Sequence, residues 1–289
     1  AIKALTKLGE DSDIAISGMA RGLEDGNASV RKLVVVSFPK IVRNSTELAV
    51  RRVSERLDHP MAEVREAATR ALLQFADGDV LVRVVSARLE HQSADVRWSA
   101  VDALARVAVK GDLVAVLAVR GRLGHRLVDV RRVAILAMSR IASTGDPRAM
   151  SDVSACLEDM HADVRWAAVG SLALLANRGD EHALAAVMSR LKNWRAEVRE
   201  VALEALVHLA RHGSSDAVAA ALRCVTDENA MVRRAAVCAV VRLAEPGDRR
   251  SRAALFACMQ DSDVDVRRAA ASALARASEC GKTCYDAAI

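Results

Sequence analysis

Ala162-Asp163-Val164-Arg165-Trp166-Ala167-Ala168-Val169 is the stretch on which the fold turns, because its Val-Arg pair comes back along the whole chain. The pair stands at Val30-Arg31, Val64-Arg65, Val96-Arg97, Val130-Arg131, Val164-Arg165, Val198-Arg199, Val232-Arg233 and Val266-Arg267. The intervals are 34, 32, 34, 34, 34, 34 and 34 residues. Self-similarity at a fixed period of this length marks stacked supersecondary units, not one closed core.

Two further columns keep phase with the pair. Seven residues before each Val stands a large apolar residue: Leu23, Leu57, Leu89, Leu123, Leu157, Leu191, Val225 and Met259. Glycines recur at Gly78, Gly111, Gly145, Gly179, Gly213, Gly247 and Gly281, mostly followed by Asp, while the first unit has Asn44-Ser45-Thr46 instead. Gly supplies the left-handed conformation that ends one helix, and Asp caps the next. Between these marks lie two apolar-periodic helices per unit; in the fifth they span about Pro147 to Glu158 and Ala162 to Asn177. Neither is long enough to be stable alone, so each unit must bury its apolar face on its neighbours.

The spacing divides the chain into repeats at 10–44, 45–77, 78–110, 111–144, 145–178, 179–212, 213–246 and 247–280, as one continuous array over 1–289. Residues 1–9 read as a second-helix remnant of a preceding repeat, and 281–289 as the start of a further unit or a tail. Neither end has the polar face of a capping repeat. The expectation is a fragment, a processed chain, or ends covered by partners.

Composition agrees with an all-α chain. Only 2% of residues are aromatic and four are proline, too few for a loop-rich β protein. The net charge of +5 arises from 42 basic against 37 acidic residues, a mild excess that does not decide for nucleic acid. No stretch approaches eighteen apolar residues, so membrane insertion is not expected. Cys156, Cys224, Cys238 and Cys258 fall within helices facing mostly apolar neighbours, as buried thiols of a reducing intracellular compartment, cytoplasm or nucleus, or an organelle if the chain is processed. Cys280 and Cys284 are a weak metal signal without a second pair.

The runs Ala94-Asp95-Val96-Arg97, Ala162-Asp163-Val164-Arg165 and Val264-Asp265-Val266-Arg267, with their equivalents, resemble the HEAT repeat family in its short HEAT-like form. The resemblance covers essentially the whole chain. It implies a right-handed α-solenoid of about eight helix pairs, with the second helices lining a concave face where partners dock. Thirty-four residues is also the tetratricopeptide length, but that family's Trp, Gly and Tyr positions are absent and Tyr285 is the sole Tyr.

By the same resemblance, Arg31, Arg65, Arg97, Arg131, Arg165, Arg199, Arg233 and Arg267 form a structural ladder with turn carboxylates such as Asp25, Asp159, Asp227 and Asp261. An Arg fork satisfied by carboxylates has little left for a ligand. Five residues before the Val, His59, His91 and His125 occupy one column, but equivalent positions in stacked units stand about a helix diameter, ~10 Å, apart. One metal ion needs its ligands near ~2 Å. They are expected as turn residues in place of Asp.

A helical wheel turns positions 0, 3, 4, 7, 8 and 11 after the Val inward and positions 2, 6, 10 and 13 outward. The outward stripe is basic at both ends, through Lys32, Lys40 and Arg43 and through Arg234, Arg242, Arg268 and Arg276. Its centre holds Trp98, Leu136, Trp166, Gly170 and Leu174 with Arg106, Arg132 and Arg140. Exposed Trp and Leu beside Arg are the substance of interface hot spots. Two dispositions stay open: the rings pack over their own helices, or they form an apolar groove for a partner helix or acidic segment. Trp194, in a turn, is a separate edge contact at most.

Enzyme chemistry has little to work with. There is no glycine-rich phosphate loop and no Ser-His-Asp spacing. Deoxyhypusine hydroxylases, which are HEAT-like, use His-Glu dipeptides as iron ligands, and the chain contains none. Of two other HEAT-like groups, bilin lyases and DNA glycosylases, the second finds a foothold in Trp98, Trp166 and Asp102 alone. No cofactor, metal or catalytic residue is expected. The function so implied is a protein-binding scaffold or adaptor, with a nucleic-acid-binding solenoid using the basic ends, or a peripheral subunit of an organellar, even photosynthetic, complex, as alternatives.

Overall fold

Helix pairs short enough to need their neighbours are what the chain forms. The computed structural model describes Ile2 and residues 11–42 and 46–286, with side chains as far as Ala275, and among these residues there is no strand. The first helices of successive repeats are α1 (Asp13–Gly22), α3 (Thr46–Ser54), α5 (Gly78–Ala87), α7 (Leu113–Arg120), α9 (Pro147–Ala155), α11 (Glu181–Arg190), α13 (Ser215–Cys224) and α15 (Arg249–Cys258). The second helices are α2 (Ala28–Ser37), α4 (Ala62–Leu72), α6 (Ala94–Val107), α8 (Val128–Ile141), α10 (Ala162–Leu175), α12 (Ala196–Leu209), α14 (Ala230–Leu243) and α16 (Val264–Asp286). Short 3-10 turns extend α2, α3, α5 and α9.

Two compact units result, Ala1–Ser143 and Thr144–Ile289. Within each, every second helix packs on its own first helix and on the second helix of the next repeat. In each unit the apolar seam is the column of Val64, Val96 and Val130, or of Val164, Val198, Val232 and Val266, all buried, with the residues four, seven and eight positions on. The column seven residues earlier is less uniform, since Leu23, Leu57, Leu89 and Leu157 are buried whereas Met259 is exposed.

The turn inside each repeat is closed by the arginine after the Val. In all eight repeats its Nη1 donates to the two carbonyls five and six residues back: Asp25 and Gly26 for Arg31, His59 and Pro60 for Arg65, and so on to Asp261 and Ser262 for Arg267. The outer nitrogens reach forward. Arg65 Nε donates to Ser99 Oγ at 2.8 Å, Arg97 to Asp129 at 2.8 Å, and Arg199 and Arg233 fork onto Asp227 and Asp261 at 2.7–2.8 Å.

Five residues before the Val, a side-chain acceptor takes the N–H two residues on. Asp25, Asp159, Asp227 and Asp261 do this with Oδ1, and His59, His91 and His125 do it with Nδ1 at 3.0–3.1 Å. The histidines thus stand in for Asp in a turn. No group of three or more His, Cys, Asp or Glu suited to a metal occurs among the described residues.

Entry to the first repeat and to the fourth through eighth passes through one left-handed residue. Gly111, Gly145, Gly179 and Gly213 have φ of +79° to +87°, and each donates its N–H at 2.7 Å to the last carbonyl of its repeat's second helix, Ile141, Leu175, Leu209 and Leu243. In the first repeat Asp11 takes the same place, with φ 59° and a 2.8 Å bond to Ile41. Asp112, Asp146, Asp180 and Asp248 then cap the next helix. Around Gly145 a Cβ would meet only Asn177, at 4.0 Å, so Gly145→Ala tests the backbone alone. We expect a loss of about 1–2 kcal/mol in chemical denaturation; an unchanged midpoint would contradict a required positive φ.

Several expectations are corrected. Gly78 is not a helix-ending glycine: it opens α5 behind the cap Asp77, because this repeat is two residues short, as the interval of 32 records. Gly281 does not begin a loop, since α16 runs through it to Asp286. Cys156, Cys224 and Cys258 are buried, but Cys238 is exposed, at an outward position between Arg234 and Arg242. Residues 1 and 3–9, Arg43, Asn44, Ser45 and the side chains of Arg276, Cys280 and Cys284 lie outside what is described.

Candidate functional site

The outward stripe of the second helices differs between the two units. In Ala1–Ser143, Trp98 extends from the first turn of α6 and is 40% exposed. The Arg132 guanidinium, from the equivalent position of α8, lies 6.0 Å from its ring centroid. That is within cation–π range, and it orients a large apolar ring at the surface. One turn along, Leu136 is half-buried and Arg140 is ion-paired with Asp102 of α6. Arg106 pairs with Glu66 of α4 at 3.2 Å, and Arg70 pairs with the same carboxylate at 2.6 Å. Burial pushes the Glu66 carboxyl up, but the hydrogen bonds and charges of Arg106 and Arg70 outweigh it and hold the group below its ordinary range. The stripe of this unit carries Lys32, Lys40, Arg70, Arg106, Arg132 and Arg140 against Glu66, Asp77 and Asp102, a positive surplus, with Arg132 also 3.5 Å from Asp129.

In Thr144–Ile289 the stripe begins apolar. Trp166 is 47% exposed, Leu174 is 63% exposed, and Gly170 lies between them with open space beside it. Further along, Arg234 faces Glu200 at 3.8 Å, and Arg242 meets Glu204 at 2.7 Å, with His208 on the same carboxylate at 3.2 Å. Arg268 lies 3.4 Å from Asp265. The basic flank expected here is therefore largely neutralised, by carboxylates two and six positions after the Val of the preceding repeat. Asp102, the foothold for a glycosylase-like acid, is likewise occupied by Arg140.

A second arginine series, eight residues before the Val, was not singled out in the sequence. Arg88 Nε donates to Asp58 at 3.0 Å, and Arg56, Arg122 and Arg190 are ion-paired with Glu24, Glu90 and Glu158 of the preceding repeat at 2.9–3.2 Å. The signal is visible in the columns, as an acid six residues before one Val and an Arg eight before the next.

Carboxylates in these ladders set the acid sensitivity. The Arg233 hydrogen bonds hold Asp261 below its ordinary range, and the Ser251 hydroxyl does the same for Asp248. A depressed carboxyl stabilises the fold above its unfolded pKa, and that contribution disappears as the pH falls through the folded value. We expect melting temperature to be flat from neutrality to about pH 5 and to drop below about pH 4. Asp261→Asn should lower stability at pH 7 by about 1–3 kcal/mol and flatten the acid drop; an unaltered pH profile in that variant would exclude the pair as its source.

The family model described as HEAT repeats matches residues 121–207 and 203–275, more than half of the 289-residue chain. Among solved structures, importin beta is similar at a TM-score of 0.55 and 15% identity, over 96% of this chain and 40% of that one. Human deoxyhypusine hydroxylase in complex with glycerol aligns at a TM-score of 0.37 and 19% identity, over 92% of this chain and 97% of that one. An engineered protein aligns at a TM-score of 0.39 and 19% identity, over 96% and 78%. At these identities the likeness to importin beta is one of fold alone. No curated protein matches the sequence. Among the described residues, no helix is long and apolar enough to cross a membrane.

Proposed function

The chain belongs to the HEAT repeat family, and from that premise we propose that it is a non-catalytic scaffold or adaptor that holds protein partners on the outward faces of its second helices. The observation that carries this reading is Trp98, held half in water beneath Arg132 in a stripe with surplus positive charge. A half-exposed Trp gains by burial against a partner, and Trp and Arg are both enriched among interface hot spots. In the second unit Trp166 and Leu174 offer a separate apolar anchor. The partner suited to the first face is an amphipathic helix whose polar side is acidic.

The carboxylates beside Arg106, Arg140, Arg234 and Arg242 weigh against a phosphate backbone as ligand, because paired guanidinium groups add little to a salt-dependent footprint. The test is binding of a short amphipathic leucine–glutamate peptide to the native chain and to Trp98→Ala/Trp166→Ala. We expect the double variant to fold normally and to bind at least about tenfold more weakly, with modest salt dependence. Full binding by a normally folded double variant would remove these faces from the reading.

A further inference from the structure

Among the described residues of the unit Thr144–Ile289, the turns expose the two most solvent-accessible large apolar residues, Trp194 at 84% and Met160 at 76%. Both stand four residues before their repeat's Val, in successive repeats. In the other six repeats that place holds Gly26, Pro60, Gln92, Arg126, Glu228 and Ser262, so the apolar step is confined to two adjacent turns. The backbone beneath them is pinned. Arg165 donates to the Met160 carbonyl at 3.0 Å, and Arg199 donates to the Trp194 carbonyl at 3.1 Å. Equivalent turns of packed helices stand about 10 Å apart, which makes the pair a short ridge on a rigid edge.

Charge selects what can cover it. Arg165 and Arg199, which close these turns, are buried, and Arg199 is already forked onto Asp227 with Glu228 beside it at 3.2 Å. Around the ridge the exposed charges are Glu158, Asp163, Glu197 and Glu228 against Lys192, with the half-buried Arg195 lying 4.0 Å from Glu197. The local balance is negative, although the whole chain carries +5. An anionic membrane or a nucleic-acid backbone would meet those carboxylates first. We propose that this edge is a second docking surface, built for a protein segment whose apolar anchors are flanked by lysine or arginine, as on one face of a basic amphipathic helix. The occupant is thus opposite in charge to the one suited to the Trp98 face, and the two surfaces share no residue.

A chain carrying Trp98→Phe and Trp166→Phe leaves Trp194 as sole Trp and reports on this edge by fluorescence. The probes are a short amphipathic leucine–lysine peptide, its leucine–glutamate counterpart, and vesicles of phosphatidylcholine with phosphatidylserine. The lysine peptide should shift Trp194 emission to the blue and the other two should not. With the peptide labelled, Met160→Ser/Trp194→Ser in the otherwise native chain should weaken its binding at least about tenfold, and Glu197→Lys/Glu228→Lys should do so without removing an apolar group. All substituted side chains are exposed, so circular dichroism should show an unchanged fold. Unmoved Trp194 emission, an equal response to the glutamate peptide, a response to vesicles alone, or undiminished binding by the serine variant would each overturn the proposal. So would sedimentation showing a dimer of the native chain that Trp194→Ser dissociates, since the occupant would then be a second copy. None of these outcomes touches the Trp98 face, so either reading can fail without the other.

Discussion

Arg199→Ala is expected to lower the unfolding free energy by about 3–5 kcal/mol, an unusual loss for a residue in a surface turn. The side chain is 7% exposed and satisfies five acceptors: the Asn193 and Trp194 carbonyls at 2.9 and 3.1 Å, both Asp227 oxygens at 2.8 and 2.7 Å, and Glu228 at 3.2 Å. Truncation leaves two carbonyls with no side-chain donor and the nearly buried Asp227 carboxylate with only the Asn229 N–H, and an orphaned buried acceptor costs its full desolvation. Arg199→Lys should recover little, because an ammonium cannot fork onto a carboxylate while reaching two carbonyls behind it. Arg31→Ala, at an exposed turn with the same two-carbonyl clamp, should cost about 1 kcal/mol. Urea denaturation of the three variants checks the ranking. Equal, small losses at both positions would mean that the clamp contributes shape without stability.

Phe38→Ala should be comparably severe, at about 3–5 kcal/mol, and its damage should stay local. Phe38 is fully buried at the end of α2, and its ring stacks on Phe75 with centroids 5.3 Å apart and an 18° interplanar angle. In a core built from Ala, Val and Leu, this is the aromatic contact between the first two repeats, and no neighbour is large enough to fill the space it leaves. Repeat arrays gain stability from nearest-neighbour contacts, so the loss should spread little. Hydrogen exchange should show faster opening of α1 to α4, while α10, α12 and α14 keep their protection. Uniform loss of protection along the chain would instead indicate a single cooperative block. Phe38→Leu should cost less than about 1.5 kcal/mol.

The helix pairs were legible in the sequence because their cause is local. Val164, Ala168, Leu172 and Leu175 repeat at helical spacing, and the wheel that turned them inward also turned Trp166, Gly170 and Leu174 out. Gly78 misled because a glycine in phase with a column says nothing of its φ; two missing residues had shifted it into the next helix. The stripe arginines misled for another reason. A wheel drawn for one helix cannot see a neighbour's side chains, and the carboxylates that neutralise Arg140 and Arg242 come from 38 residues earlier, one repeat back. The same blindness hid the series from Arg56 to Arg190 and the exposure of Cys238. Which ring faces water is a tertiary property, and Trp98, Trp166 and Trp194 showed theirs only when repeats were packed together.

The bonds from Gly145 to Leu175, Gly179 to Leu209 and Gly213 to Leu243 each begin and end inside one repeat. A cut between Leu175 and Gly179 severs none of them. In genetic terms each repeat so closed is a cassette: an in-frame duplication or excision of thirty-four residues in that register carries along its own closing bond and the turn held by its arginine. What a transplanted cassette cannot bring is its neighbour's carboxylate, such as the Asp129 that meets Arg97 or the Asp227 that meets Arg199. Those residues decide which copies can follow which without leaving an arginine unpaired.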